Sequence, residues 1–161
     1  MRQQIERAGA AAVRAAGGRA IPSANYHITL AFLGNVSVEH LDNIVSAARR
    51  VVFNPFTISL DRTGYWPRPQ VVWLKPDQCP AQLSQLEHAL WGELSPLGFR
   101  ADSRTYKPHV SLARKVPGGL GSVLDEPVQW PVKGFALVRS ETLSGGAVYT
   151  LLDQFPARDR N

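Results

Sequence analysis

The sequence has one cysteine, Cys79, among its 161 residues. No internal disulfide can form, so a fold held by a disulfide framework is excluded. No apolar run approaches the ~20 residues that a helix needs to cross a bilayer. No basic, apolar, small-residue leader opens the chain, and these features together predict a cytoplasmic protein. Zinc-site spacings are missing as well: there is no C-x-x-C and no H-E-x-x-H. A phosphate-binding P-loop is absent, and the nearest approach to a K-x-D-G adenylation motif, "KPDQ" at 75–78, ends in Gln. No Pro/Ser linker or low-complexity tract divides the chain, which predicts a single domain over 1–161, large enough to bury a real core. Lysine is scarce: of 18 basic residues only four are Lys, and the formal charge is +5 with a pI near 9.8. Guanidinium groups suit phosphates, so the arginine-rich balance points weakly to an anionic partner.

The periodicities that are present describe an α+β chain. Residues 1–16 read as an amphipathic Ala-rich helix stopped by Gly17 and Gly18. Residues 26–33 alternate as a strand. Ser37 is a candidate N-cap for a helix over 38–50, with Leu41, Ile44, Val45 and Ala48 as its apolar stripe. "FTISLDRTGYW" (56–66) and "VVWLK" (71–75) form a hairpin about "PRPQ". A helix over 80–95 carries Leu83, Leu86, Leu90 and Leu94. Strands are predicted at 108–114, 131–140 and 147–155, with a loop at 118–121 and a turn at 144–146. Two or three helices among about six strands, often in hairpins, indicate mainly antiparallel sheet.

Two short stretches share a pattern. "HITL" begins at His27 and "HVSL" begins at His109. Each reads His, aliphatic, hydroxyl, Leu in a strand-like context, and such a repeat suggests two similar lobes. Strand alternation puts Ile28, Leu30 and Phe32 on a core face and His27 and Thr29 on the other. In the second copy Val110 and Leu112 face the core while His109 and Ser111 face out. If the two stretches meet, two imidazoles and two hydroxyls share one site. A neutral imidazole can take a proton from attacking water, and a protonated one can give a proton to a leaving oxygen. The hydroxyls can donate to non-bridging phosphate oxygens. The free imidazole pKa near 6.5 suits both roles. Phosphodiester cleavage without a metal needs this set. Arg100, Arg104, Lys107, Arg114 and Lys115 cluster about the second motif, and Tyr26, Tyr65, Trp66, Phe99 and Tyr106 are spread near both, as for single-stranded nucleic acid. By strict alternation Arg114 shares the face of Leu112, so it reaches the site only through a bulge, a twist or the strand's end. His40 and His88 fall on helices, away from the Leu stripes, and read as surface residues.

With those residues in place the chain resembles the 2H phosphoesterase superfamily, named for two H-x-[ST]-x motifs. Within it, "HITLAFLG" and "PHVSLAR" are most similar to the RNA 2′,3′-cyclic phosphodiesterases, also called 2′-5′ RNA ligase-like proteins. The resemblance runs from about residue 20 to the C-terminus. It implies a bilobal α+β fold with two mainly antiparallel sheets facing across a cleft and helices outside. It implies hydrolysis of RNA 2′,3′-cyclic phosphate ends, tRNA half-molecules among them, to 2′-phosphomonoesters. It implies His27 as proton donor, His109 as proton acceptor, and Thr29, Ser111 and Arg114 as phosphate-binding residues. No metal and no cofactor are implied, and reversible 2′-5′ ligation without ATP accompanies the family name. Members usually open with a strand before the first helix, whereas this sequence starts at the helix. Two other readings stay open: a 2H phosphodiesterase acting on a small cyclic phosphate or cyclic nucleotide, and a non-catalytic module that binds RNA ends.

Overall fold

The computed structural model describes residues 1–144 and 146–158. Among them are three α-helices and seven strands, and the chain divides into two compact units. One unit is built from residues 1–29, 57–79 and 107–130, the other from 30–56, 80–106 and 131–161.

The first unit is a five-stranded sheet with one helix. Its helix, α1 (Arg2–Ala16), buries Ile5, Gly9 and Ala16. Gly17 ends it at φ 69°, a left-handed conformation that favours glycine. Strands β1 (Arg19–Ala20), β2 (Phe56–Trp66), β3 (Val71–Lys75), β4 (Val110–Arg114) and β5 (Ser122–Val132) lie in the order β1-β4-β3-β2-β5. The β1/β4, β4/β3 and β3/β2 pairs are antiparallel. Val72, Leu74, Val110 and Leu112 are almost fully buried, as the alternation predicts. Gly9 is required there: a Cβ at that position would stand 2.5 Å from Leu112 Cδ1.

Strand β5 has no counterpart in the sequence reading. Its "SVLDEPVQWPV" holds two prolines, which normally argue against a strand. It occupies the sheet's edge, where a missing N–H costs little. Side-chain bonds tie it to β2, Thr63 to Ser122 at 2.9 Å and Gln129 to Ser59 at 3.0 Å.

In the second unit α2 (Leu41–Arg50) packs on α3 (Ala81–Leu94), with β6 (Gly134–Leu143) and β7 (Gly146–Pro156) paired antiparallel. The Leu stripe of α3 is buried as predicted. Phe53, Phe135 and Phe155 form an aromatic cluster, with centroids 6.0 and 4.9 Å apart. Arg50 pairs with Glu93 at 2.6 Å and Arg49 with Asp153 at 3.0 Å. The predicted turn at 144–146 includes residue 145, which lies outside the described residues.

Three expectations are corrected. Residues 26–33 form no ladder. The Ile21 amide donates to Leu112 O at 2.8 Å, one bond beyond β1, and Pro22 then has no N–H to continue. Alternating burial survives from Tyr26 to Leu30 outside any assigned strand and slips at Ala31, so Phe32 is 81% exposed rather than core. Ser37 caps no helix: its hydroxyl donates to Glu39 Oε1 at 2.8 Å, and a 3₁₀ turn over 38–40 precedes α2.

Candidate active site

His27, Thr29, His109 and Ser111 belong to the first unit. His27 follows the 3₁₀ turn at Ser23–Asn25, outside any regular element. His109 immediately precedes β4. Different local structures produce the same hydrogen bond. His27 Nδ1 lies 2.7 Å from Asn25 O, and His109 Nδ1 lies 2.8 Å from Lys107 O. A carbonyl oxygen only accepts, so each Nδ1 carries the proton and donates it. Each Nε2 is thereby the nitrogen without a proton in the neutral ring.

The surroundings of His109 shift its titration. Burial holds His109 below the usual imidazole pKa. The Lys107 carbonyl opposes that, and the charges of His27 and Arg114 push it down further. Trp66 supplies part of the burial, edge to face with His109 at 4.5 Å between centroids. A neighbour that disfavours imidazolium keeps His109 neutral and able to accept a proton.

Arg114 reaches this face through a bulge. Trp73 pairs with Ser111 and Val72 pairs with Ala113, so Leu112 is an extra residue in β4. Residues directly opposite share a face. Trp73 therefore sits with Ser111, and after the bulge Val71 sits with Arg114. Since Val71 and Trp73 are two apart, Ser111 and Arg114 project from one face. His109 joins them, two residues before Ser111. Leu112 and Ala113 are both fully buried, which strict alternation would not allow. The same register sets Arg19 opposite Arg114.

Ser111 is half-buried in β4, and Thr29 is exposed two residues beyond His27. Of the other basic residues named from the sequence, Arg104 lies in the second unit and is committed to Asp102, whose carboxyl it holds near pKa 2. Tyr65 is structural: its hydroxyl donates to Val116 O at 3.0 Å. His88 bonds Ser84 O at 2.7 Å on the surface of α3, and His40 is exposed. The sequence reading missed Trp73 and Arg19, because only the strand register puts them beside Ser111 and Arg114. Among the described residues no group of three or more His, Cys, Asp or Glu could hold a metal ion, and no helix is long and apolar enough to cross a membrane.

Comparison with known proteins shows the family. A family model described as the 2′-5′ RNA ligase superfamily matches residues 2–142. The chain is 34% identical over 152 residues to the RNA 2′,3′-cyclic phosphodiesterase of Thermus thermophilus, covering 88% of this chain and 77% of that protein. It is 34% identical over 140 residues to the protein of the same name from Escherichia coli, with 86% and 79% covered. The crystal structure of E. coli LigT complexed with 3′-AMP superposes with a TM-score of 0.83 at 32% identity, covering 98% of this chain and 91% of that one. TT0787 of T. thermophilus gives a TM-score of 0.85 at 29% identity, with 99% and 93% covered. The fold is thus the mixed α+β fold of the 2H phosphoesterases, with antiparallel sheets and few helices, and the chain belongs to the 2′-5′ RNA ligase superfamily.

Proposed function

We propose that this chain hydrolyses RNA 2′,3′-cyclic phosphate ends to 2′-phosphomonoesters without a metal. The observation that carries this reading is the pair of motif imidazoles in one unit, each with Nδ1 bonded to the carbonyl of the residue two before it. In the proposed step His109 Nε2 takes a proton from water as the water oxygen attacks phosphorus. The bond from phosphorus to the 3′ oxygen breaks. His27 Nε2 delivers a proton to that oxygen, leaving a 3′-hydroxyl and a 2′-phosphate. Protons exchanged with solvent then reset both rings. Thr29 and Ser111 donate to the non-bridging oxygens, and Arg114 offsets their growing charge. A 5′-hydroxyl of a second RNA, tRNA halves included, could replace water as nucleophile and give a 2′-5′ linkage.

The direct test follows phosphorus by NMR while a short RNA ending in a 2′,3′-cyclic phosphate is incubated with excess chelator. Conversion to the 2′-phosphomonoester is expected. Turnover of cyclic mononucleotides but not of RNA would favour a small cyclic phosphate as substrate. Binding of RNA ends without product would favour a non-catalytic module.

The pH dependence follows from His109. Its pKa lies below the usual value, so the neutral base persists to more acid pH than free imidazole allows. The acidic limb of kcat/KM is therefore expected below pH ~6.5. Arg114→Gln removes one of the charges that push this pKa down, so the limb should move to higher pH. The same variant should lose about tenfold to a hundredfold in kcat/KM, the usual range for one charge-assisted contact to phosphate. A pH–rate profile of both proteins checks the shift, and an unmoved limb would contradict the coupling.

A further inference from the structure

The bulged face of β4 continues across β3 to a cavity of 520 Å³ lined by Arg62, Thr63, Trp73, Lys75, Asp77 and Ser122 among others. Its volume lies in the range of ligand pockets. All of these residues belong to the first unit. Trp73 is the direct cross-strand neighbour of Ser111, and Lys75 is opposite Arg62. Lys75 is two residues past Trp73, about 7 Å along the strand on the same face. Lys75 thus shares the face of Ser111, one strand over and two residues along.

The charges there are unequal. Arg62 lies 2.5 Å from Asp77, and the two neutralise each other. The ammonium of Lys75 has no acidic partner among the described residues. It bonds Pro76 O at 3.4 Å and stands 5.4 Å from the Trp73 ring centroid. The ring is fixed in turn: a Cβ on Gly64 would fall 2.2 Å from it, so glycine is needed for Trp73 to lie on β2. Trp66 lies against it, with ring centroids 5.4 Å apart. The result is a rigid aromatic wall carrying one uncompensated cation beside the candidate active site.

We infer that this cavity is a second phosphate subsite, in which Lys75 holds the phosphate on the 5′ side of the nucleoside whose 2′,3′-cyclic phosphate is opened. The inference rests on the function proposed above and adds which part of the RNA is recognised. Such a subsite favours an RNA end over a bare nucleoside cyclic phosphate.

Adenosine 2′-phosphate and adenosine 2′,5′-bisphosphate separate the two sites, because they differ only in the 5′ phosphate. Titration calorimetry of the unaltered chain should give about tenfold tighter binding of the bisphosphate. Lys75→Met should bring the ratio of the two affinities to about one and leave the 2′-phosphate affinity unchanged. Lys75→Arg should keep the ratio. Far-UV circular dichroism confirms that each variant is folded. Equal affinities in the unaltered chain, an unchanged ratio in folded Lys75→Met, or equal loss of both ligands would overturn the subsite. Binding of neither ligand by the unaltered chain would instead count against the active-site reading itself.

Discussion

His109→Ala is expected to lower turnover of an RNA 2′,3′-cyclic phosphate by about 10²–10⁴-fold, and His27→Ala by a similar factor. Each substitution removes one Nε2, the atom that carries the proton in the proposed step. The carbonyls of Lys107 and Asn25 only orient the rings. Neither of them titrates. The two losses should differ in their pH dependence. Without His109 the acidic limb of the profile should vanish, because that limb records protonation of the base. Without His27 the alkaline limb should vanish, because that limb records loss of the acid's proton. The double variant should be little worse than either single one, since groups that act in one transfer are not additive. Rates within tenfold of the unaltered chain in either folded single variant would contradict the mechanism. An exchange of the two limbs would exchange the roles of acid and base and leave the reaction standing.

Leu112→Ala should cost about 3–5 kcal/mol of stability, the upper part of the range for a buried Leu. Leu112 is fully buried, and the approach of Gly9 shows how closely α1 sits on it. The helix backbone has little room to follow a receding side chain, so a cavity should remain. Gly9→Val tests the same contact from the other side. Its added bulk should overpack the interface by about 1–3 kcal/mol or more. Urea denaturation of the two variants measures both. A loss below about 1 kcal/mol for Leu112→Ala would mean that the helix collapses onto the sheet. Leu112→Ala should also lower activity more than His88→Ala, a surface substitution, because the bulge that aims Arg114 is anchored by this side chain.

Where the sequence could be read, a side-chain period coincided with an element that buries one face. The Leu stripe of α3 and the β2–β3 hairpin were legible for that reason. The motif histidines were legible through repetition alone, and their chemistry needs only two imidazoles near each other. The segment after Pro22 shows the limit. Its alternation reports which residues are partly covered, and it says nothing about whether a neighbouring strand exists. Phe32 was misplaced on that account. Strand β5 was hidden by Pro127 and Pro131, whose cost disappears at a sheet edge. Arg114 was named in the sequence but stood on the wrong face under strict alternation. Trp73 and Lys75 carry no local signal, because their place beside Ser111 is a property of strand register.

The extra residue in β4 bears on how chain length can vary here. His109 and Arg114 are five residues apart, an odd number, which in a straight strand would send them to opposite faces. Removing the one residue that has no partner would shorten the interval to four and straighten the strand, yet leave Ser111 opposite Trp73 and Arg114 opposite Val71. A deletion at Leu112 would therefore cost packing while preserving which groups face the phosphate. A deletion at Ala113, the other residue between Ser111 and Arg114, would have the same effect, with Leu112 then opposite Val72. Chains aligned with this one can differ by a single gap at that point and still present the guanidinium to the same place. Counting residues from the histidine would then identify the wrong arginine, and counting faces would find the right one.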